Sequence, residues 1–348
     1  MSNHDRISAL SDDVLRHILS FMPTRDAFTT SLLSKRWRPL WLTVPTLNFH
    51  ERDYLVSRKK HSFSFVKFVH AIILIRGLNP SIKSFTLNCC SSPDLYNSDL
   101  YIRTSLEVLR KIEHLDLEIR INRTLPFCFF AIKTLVVLRL NGLTVNNSGS
   151  VDFPSLKTMH LNRITFREVG DFLEILYGCP VLEDLRAYNL LFFSYKIPFS
   201  EEPRSLPKLV RAEIDMIHDT DIPLKLFSNA ESLYIQQFSG DIPLFPHLTQ
   251  LKFSPRYYAK WNVTFEMLKC CPKLRELGFH KFSYGDVHCG NKWTCKGFGV
   301  VIGGAPGKSH VFKKARNHTF LRRQKKRLRL WLAKTSSLKS QIYVISKQ

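Results

Sequence analysis

The stretch Cys179-Pro180-Val181-Leu182-Glu183-Asp184-Leu185 returns as Cys271-Pro272-Lys273-Leu274-Arg275-Glu276-Leu277, and what the two share decides the fold. Each carries the pattern apolar-x-x-apolar-x-apolar, in which the last two apolar side chains fall on one face of a strand. The pattern is clear at Ile82-Phe85-Leu87, Ile112-Leu115-Leu117, Leu135-Leu138-Leu140 and Leu156-Met159-Leu161. It continues through Leu182-Leu185-Ala187, Leu209-Ala212-Ile214, Ala230-Leu233-Ile235, Leu248-Leu251-Phe253 and Leu274-Leu277-Phe279. Successive starts differ by 30, 23, 21, 26, 27, 21, 18 and 26 residues, mostly near the period of roughly 20–29 expected of a stacked strand repeat. Nine ordinary strands of an open sheet would not recur at such near-regular spacing. The two prolines each close an amphipathic helix, at 169–177 and 265–270, just before the next strand.

This is the strand template of leucine-rich repeats. A single repeat cannot bury its own apolar face, so neighbours stack into a curved solenoid with an extended concave surface. The positions between the template residues include Lys83, Ser84, Glu113, His114, Lys157, Thr158, Glu183, Asp184, Arg275 and Glu276. They are polar and varied, as a recognition surface requires, although a merely solvated face has the same composition. Glu183, Asp184, Arg275 and Glu276, outward positions of the two Cys-Pro repeats, are the candidate binding residues of that surface. Ahead of the repeats, a charged connection leads into an amphipathic helix over 64–77, ended by Gly77 and Asn79-Pro80.

Residues 5–49 read as three short helices. Ser11-Asp12-Asp13 supplies capping oxygens for the first, in which Leu15, Ile18, Leu19 and Met22 form one apolar stripe. Pro23 stops it, Thr24 is placed to cap a second helix to about Leu33, and Ser34 to cap a third with Trp37, Leu40 and Trp41 on one face. A unit of this size cannot bury all of these side chains alone, so some should meet a partner.

Composition narrows the function. The chain has 348 residues, 44% of them hydrophobic and 12% aromatic, enough for packed cores. Its eight cysteines show no C-x-x-C spacing, which points to buried free thiols rather than a zinc ribbon or disulfide framework. No signal-type h-region or membrane-length apolar run occurs, so the expected location is intracellular, in nucleus or cytoplasm or both. The formal charge of +22 is uneven. From Gly285 onward there are fifteen Lys and Arg against the single acid Asp286, a net of +14 that leaves 22 − 14 = +8 for the rest. That tail, with Arg322-Arg323-Gln324-Lys325-Lys326-Arg327, is the basis of an alternative reading as a nucleic-acid binder, or more modestly of a nuclear-localisation patch.

Catalytic motifs fail on their spacing. Gly303-Gly304-Ala305-Pro306-Gly307-Lys308-Ser309 is one residue short of a phosphate-binding loop, since Ile302 stands where the first glycine is needed. His288, Cys289 and Cys295 lack a fourth metal ligand at sensible spacing. No catalytic residue, metal ligand or cofactor is assigned, and the chain reads as a non-enzyme.

The runs Asp5-Arg6-Ile7-Ser8-Ala9-Leu10, Ile18-Leu19-Ser20-Phe21-Met22-Pro23-Thr24 and Leu32-Leu33-Ser34-Lys35-Arg36-Trp37 closely resemble the F-box of plant F-box/LRR proteins. The resemblance extends through the Cys-Pro-x-Leu repeats to about residue 283. It implies a substrate-recognition subunit whose F-box docks a Skp-family adaptor, and through it a cullin, while the repeats hold a target protein for ubiquitination. Matched to the family's adaptor-contact motif are Leu10, Leu15, Ile18, Leu19, Met22, Pro23, Leu32, Leu33 and Trp37. Two departures stand out: Ser11 replaces a proline usual in the family, which is expected to weaken docking modestly, and the family's C-terminal domain does not follow the repeats. The expectation is an α+β chain: a small three-helix F-box (1–50), a linker with an amphipathic helix (51–80), a leucine-rich-repeat α/β solenoid (81–283) and a basic, poorly ordered tail (284–348).

Overall fold

A computed structural model describes residues 6–56, 65–77, 82–89, 111–125, 129–130, 132–146, 150–194, 203–216, 222–235, 241–253, 266–279, 298–302 and 342–346. Three helices lead into a solenoid of mostly parallel strands, and the chain divides into two compact units, 1–201 and 202–348.

The first unit opens with α1 (Asp12–Ser20), α2 (Thr24–Thr30) and α3 (Trp37–Leu42). Ser11 caps α1 as the sequence suggests, its Oγ accepting from the Val14 amide at 3.4 Å. The other two expected caps are corrected. Thr24 is the first residue of α2, and its Oγ1 accepts a hydrogen bond from the Asn48 amide at 2.6 Å instead. Ser34 starts a turn, its carbonyl accepting from the Trp37 amide, and α3 begins three residues later. The α1 stripe also divides. Leu15 and Leu19, four apart, both point inward, while Ile18 is exposed and Met22 half-buried.

β1 (Thr46–His50) follows at once and pairs in parallel with β2 (Ser84–Cys89). Val44-Leu47-Phe49 is thus a tenth copy of the strand template, which the sequence reading passed over because 38 residues separate it from Ile82. Those intervening residues hold α4 (Glu51–Val56) and α5 (Phe65–Gly77). The inner face of α5 carries Phe65, Val69, Ile72, Ile73 and Arg76, at the three- and four-residue spacing of one helical face. Phe49 of β1 meets Phe68 of α5 and Phe85 of β2, with ring centroids 6.1 and 5.8 Å apart.

The sheet of this unit runs β1-β2-β3-β4-β5-β7, with β3 (His114–Leu125), β4 (Val137–Val145), β5 (Thr158–Asn162) and β7 (Asp184–Ser194), while β6 (Thr165–Glu168) pairs with β4 and β7. β2, β3, β4, β5 and β7 all enter in the same way. Two successive amides donate to one carbonyl of the preceding strand: Lys83 and Ser84 to Pro45, Glu113 and His114 to Lys83, Val136 and Val137 to Glu113, Lys157 and Thr158 to Val136, Glu183 and Asp184 to Lys157. Behind the sheet, phenylalanines fill the core. Phe129, Phe130 and Phe153 form one cluster and Phe166, Phe172 and Phe192 another, with centroids between 5.4 and 6.3 Å apart.

α6 (Val169–Tyr177) ends as its Cys-Pro signature foretells. The Cys179 thiol donates to the Ile175 carbonyl at 3.1 Å, satisfying an orphan acceptor of the last turn. Gly178 is there for close approach: a Cβ on it would lie 2.7 Å from the Val151 carbonyl oxygen. Gly178→Ala is expected to cost about 1–3 kcal/mol through that clash, measurable as a lower denaturation midpoint with an unchanged m-value.

The second unit repeats this construction with β8 (Arg211–Met216), β9 (Ser232–Ile235), β10 (Gln250–Phe253) and β11 (Glu276–Phe279) in parallel register. The paired amides recur, Glu231 and Ser232 donating to Val210, Thr249 and Gln250 to Glu231, Arg275 and Glu276 to Thr249. The second Cys-Pro signature repeats the thiol contact, Cys271 donating to the Met267 carbonyl at 3.1 Å. All nine templates read from the sequence are strands. Beyond β11 the parallel order ends. β12 (Phe298–Ile302) pairs antiparallel with β11, and β13 (Ile342–Ser346) antiparallel with β12. β12 therefore occupies the edge that the sequence reading leaves open at the last repeat. The Gly303–Ser309 loop, His288, Cys289, Cys295 and the basic run 322–329 lie outside the described residues.

Candidate functional site

Two surfaces carry the candidate residues, both in places that their sequence dictates. The first is made by α1 and the turns around α2 and α3. Leu15 and Leu19 are 0% and 1% exposed: they are core, and a partner cannot reach them without rearrangement. Leu10, Met22, Pro23 and Trp37 are half-buried. Ile18, Leu32 and Leu33 are open at 43%, 81% and 70%. Phe21, 75% exposed, was missed by the sequence reading, as were Ile7 and Val14. The signal for Phe21 was present: it follows the last turn of α1, three residues after Ile18, directly before Met22-Pro23. So much open apolar surface on one short segment makes it a candidate docking site.

Arg36 shapes this surface. Its guanidinium donates to the Asp12 carboxylate at 2.6 and 2.9 Å and to the carbonyls of Ser8 and Leu10. It thereby fastens the strip that bears Ile7 and Leu10 to the start of α3. The contact is geometric more than energetic, since an exposed pair of this kind contributes about 1 kcal/mol or less.

The second surface is the polar face of the repeat strands. In the first unit the ladder sets three rows side by side: Thr46, Ser84, His114, Val137, Thr158 and Asp184, then Asn48, Thr86, Asp116, Arg139, His160 and Arg186, then His50, Asn88, Glu118, Asn141, Asn162 and Tyr188. Much of its charge is matched in place. Lys83 pairs with Glu113 and Lys157 with Glu183, each at 3.0 Å, and Arg186 with Asp184 at 3.2 Å. Asn189 donates to Asn162, which donates to Asn141, at 3.2 and 3.4 Å. Of the sequence candidates, Glu183 is exposed just before β7, and Asp184, half-buried, begins β7 in the first row. Arg275 is exposed and Glu276 half-buried, at the start of β11 in the second unit. The middle row, with Asp116, Arg139 and Arg186, escaped the sequence reading, which looked only at the template's first gap.

Burial raises the Asp116 carboxyl above the ordinary aspartate range, opposed by Arg139 3.9 Å away and by His50, with Glu118 adding to the rise. The folded chain therefore holds this proton more tightly than the unfolded one. Its contribution to stability falls as pH rises from the ordinary aspartate value through the raised one. Asp116→Asn is expected to flatten that slope and raise the melting temperature at neutral pH, as read from melts between about pH 3 and 7.

Among the described residues no cluster of His, Cys, Asp and Glu could hold a metal ion. The Cys179 and Cys271 thiols are pushed up to about 12 by burial, the opposite of a reactive nucleophile. A shallow cleft bordered by Arg25, Asn48, His50 and Tyr54 encloses about 10 Å³, far short of the roughly 300–1,000 Å³ of small-molecule sites. No helix among the described residues is long and apolar enough to cross a membrane. The two surfaces above are the candidates for contact with other macromolecules.

Comparison with known proteins agrees. Residues 7–48 match the F-box domain model, a span that begins at exposed Ile7 and ends within β1. An Arabidopsis thaliana F-box/LRR-repeat protein is 31% identical across 84% of this chain and 72% of its own length. A second is 30% identical across 84% of this chain and 96% of its own length. The chain belongs to the F-box/LRR-repeat family. An F-box/FBD/LRR-repeat protein of the same plant is 36% identical, across 52% of this chain and 43% of its own length. F-box/LRR proteins are non-catalytic adaptors of the kind found in Skp–cullin–F-box ubiquitin ligases, and at family level that is this chain's function.

Proposed function

We propose that this F-box/LRR-repeat chain is a substrate receptor that docks a Skp-family adaptor through Ile18, Phe21, Leu32 and Leu33, and captures a target protein on the polar face of its repeats. The observation that supports the first half is the exposure of those four large apolar side chains within one family-matched segment. Leu10, Met22, Pro23 and Trp37 border them as half-buried contributors, and Leu15 and Leu19 act from beneath by holding α1 in place. The adaptor in turn brings a cullin. In this reading residues 1–50 dock, 51–80 connect, 81–283 select the target and 284–348 lie outside the repeats. The Lys and Arg of 322–329 favour a nuclear as well as a cytoplasmic address.

The test is co-purification of the full chain with a recombinant Skp-family adaptor, followed by capture of proteins from plant extract. Adaptor recovery at micromolar concentration is the expected result, and its absence overturns the docking half. Charge reversal at Glu183, Asp184, Arg275 and Glu276 is expected to change the captured set while leaving the adaptor bound. If the four-fold variant captures the same proteins, those residues do not select the target.

A further inference from the structure

Among the described residues, Arg76 is the largest charged side chain in the interior, 1% exposed near the end of α5. A guanidinium taken out of water costs several kcal/mol unless its donors are used. Here no described carboxylate faces it. Burial alone moves it, lowering the group to about 10, still well above neutrality, so the charge persists.

Two of its three nitrogens donate to backbone, while Nε is buried without a partner among the described residues. Nη1 donates to the Trp41 carbonyl at 2.8 Å, and Nη2 donates to the Val44 carbonyl. The guanidinium carbon also lies 5.8 Å from the centre of the Trp41 ring. Trp41 belongs to the last turn of α3, and its carbonyl also accepts from the Val44 amide at 3.4 Å. Val44 is the residue from which the chain turns into β1. A single side chain from the repeat-side helix α5 therefore ties down the end of the adaptor-docking helices and the entry to the first repeat strand.

A second set of contacts holds the same junction from the other side. The Thr46 hydroxyl donates to the Ser20 carbonyl at 3.0 Å, and the Asn48 amide donates to Thr24 Oγ1. The outer edge of β1 is thus taken up by α1 and α2, which close the sheet as a terminal cap closes a repeat stack.

We propose that Arg76 is a positioning residue that locks α1–α3 to the first repeat strands, so that a docked adaptor and a captured target are held at one set separation. This rests on the docking reading above. The geometric half of it can be tested without adaptor or target.

Spin labels carried on noncanonical residues at exposed Arg38, in α3, and Lys133, in the repeats, report the separation in the full chain. Wild type is expected to give a single narrow distance distribution. Arg76→Met keeps the volume and removes the donors, and is expected to lose that single distance while far-ultraviolet circular dichroism and adaptor affinity stay unchanged. Arg76→Lys, which restores one donor, is expected to recover it in part. A broad distribution in wild type, or a wild-type distribution in folded Arg76→Met, overturns the proposal. If Arg76→Met does not fold, Arg76→Lys decides: a distribution broader than wild type supports the lock, and wild-type width overturns it. Loss of adaptor binding by the wild-type chain would overturn the docking reading and leave the distance result standing.

Discussion

Leu32→Asp with Leu33→Asp is expected to abolish adaptor capture while leaving the melting temperature nearly unchanged. Both side chains are mostly in solvent, so folding loses little, within about 0.5 kcal/mol for such surface changes. Binding loses much. An apolar anchor at the centre of an interface is worth about 2 kcal/mol or more, roughly thirtyfold in Kd, and an aspartate there leaves a charge buried without a partner. The two positions are neighbours, so their effects should not simply add. Leu19→Ala is the control with the opposite profile. It opens a cavity beneath α1 and should cost about 2–5 kcal/mol of stability, with adaptor binding recovering wherever the variant remains folded. Calorimetric titration beside thermal melts separates the two. Loss of binding by folded Leu19→Ala, with normal binding by the double aspartate variant, would place the docking surface elsewhere.

Residues 1–55 expressed alone are expected not to fold. The family-matched segment, 7–48, has the outline of a domain, but its hydrophobic closure is borrowed. Leu47 and Phe49 of β1 are buried, Phe49 against Phe68 and Phe85, and Arg76 of α5 donates to the Trp41 carbonyl at the end of α3. Cutting at 55 exposes those side chains and removes the backbone partner of all of β1. At about 25 cal/mol per Å² of apolar surface, several large side chains returned to water exceed the stability of so small a unit. The measurable sign is an amide spectrum without dispersion, against a folded spectrum for the full chain. A cooperative melt of the fragment would show that the helices close on their own.

The repeats were legible because burial of one strand face writes itself as a fixed spacing, and nine spacings became nine strands. β1 escaped because Val44 lies 38 positions before Ile82, with α4 and α5 in the interval, and a period cannot be seen across one stretched interval. The α1 stripe was over-read. Helical periodicity put Leu15, Ile18, Leu19 and Met22 on one side, but it cannot say where along a wide stripe the core stops and solvent begins. Caps were read from side-chain type alone. Thr24 and Ser34 are good cap residues, yet Thr24 serves the Asn48 amide across the β1 edge, a contact that no local window contains. Arg76 was invisible for the same reason: in sequence it is simply a basic residue near the end of a helix. The phenylalanine clusters were present as composition, without any order that would assign them to one core.

The paired amides at each strand entry have a consequence for how such a chain can change over generations. At eight of these steps two backbone donors meet one backbone acceptor, and a side chain adds to that acceptor only at Glu231, where the Thr249 hydroxyl also donates. The intervals between starts range from 18 to 30 residues, yet the register is kept, because whatever is inserted between two strands leaves that backbone junction alone. Length can therefore drift in the connecting segments, and identity can drift in the three outward rows, without either disturbing the other. A lineage that needs to recognise new proteins can explore both freely while the apolar positions hold the stack together.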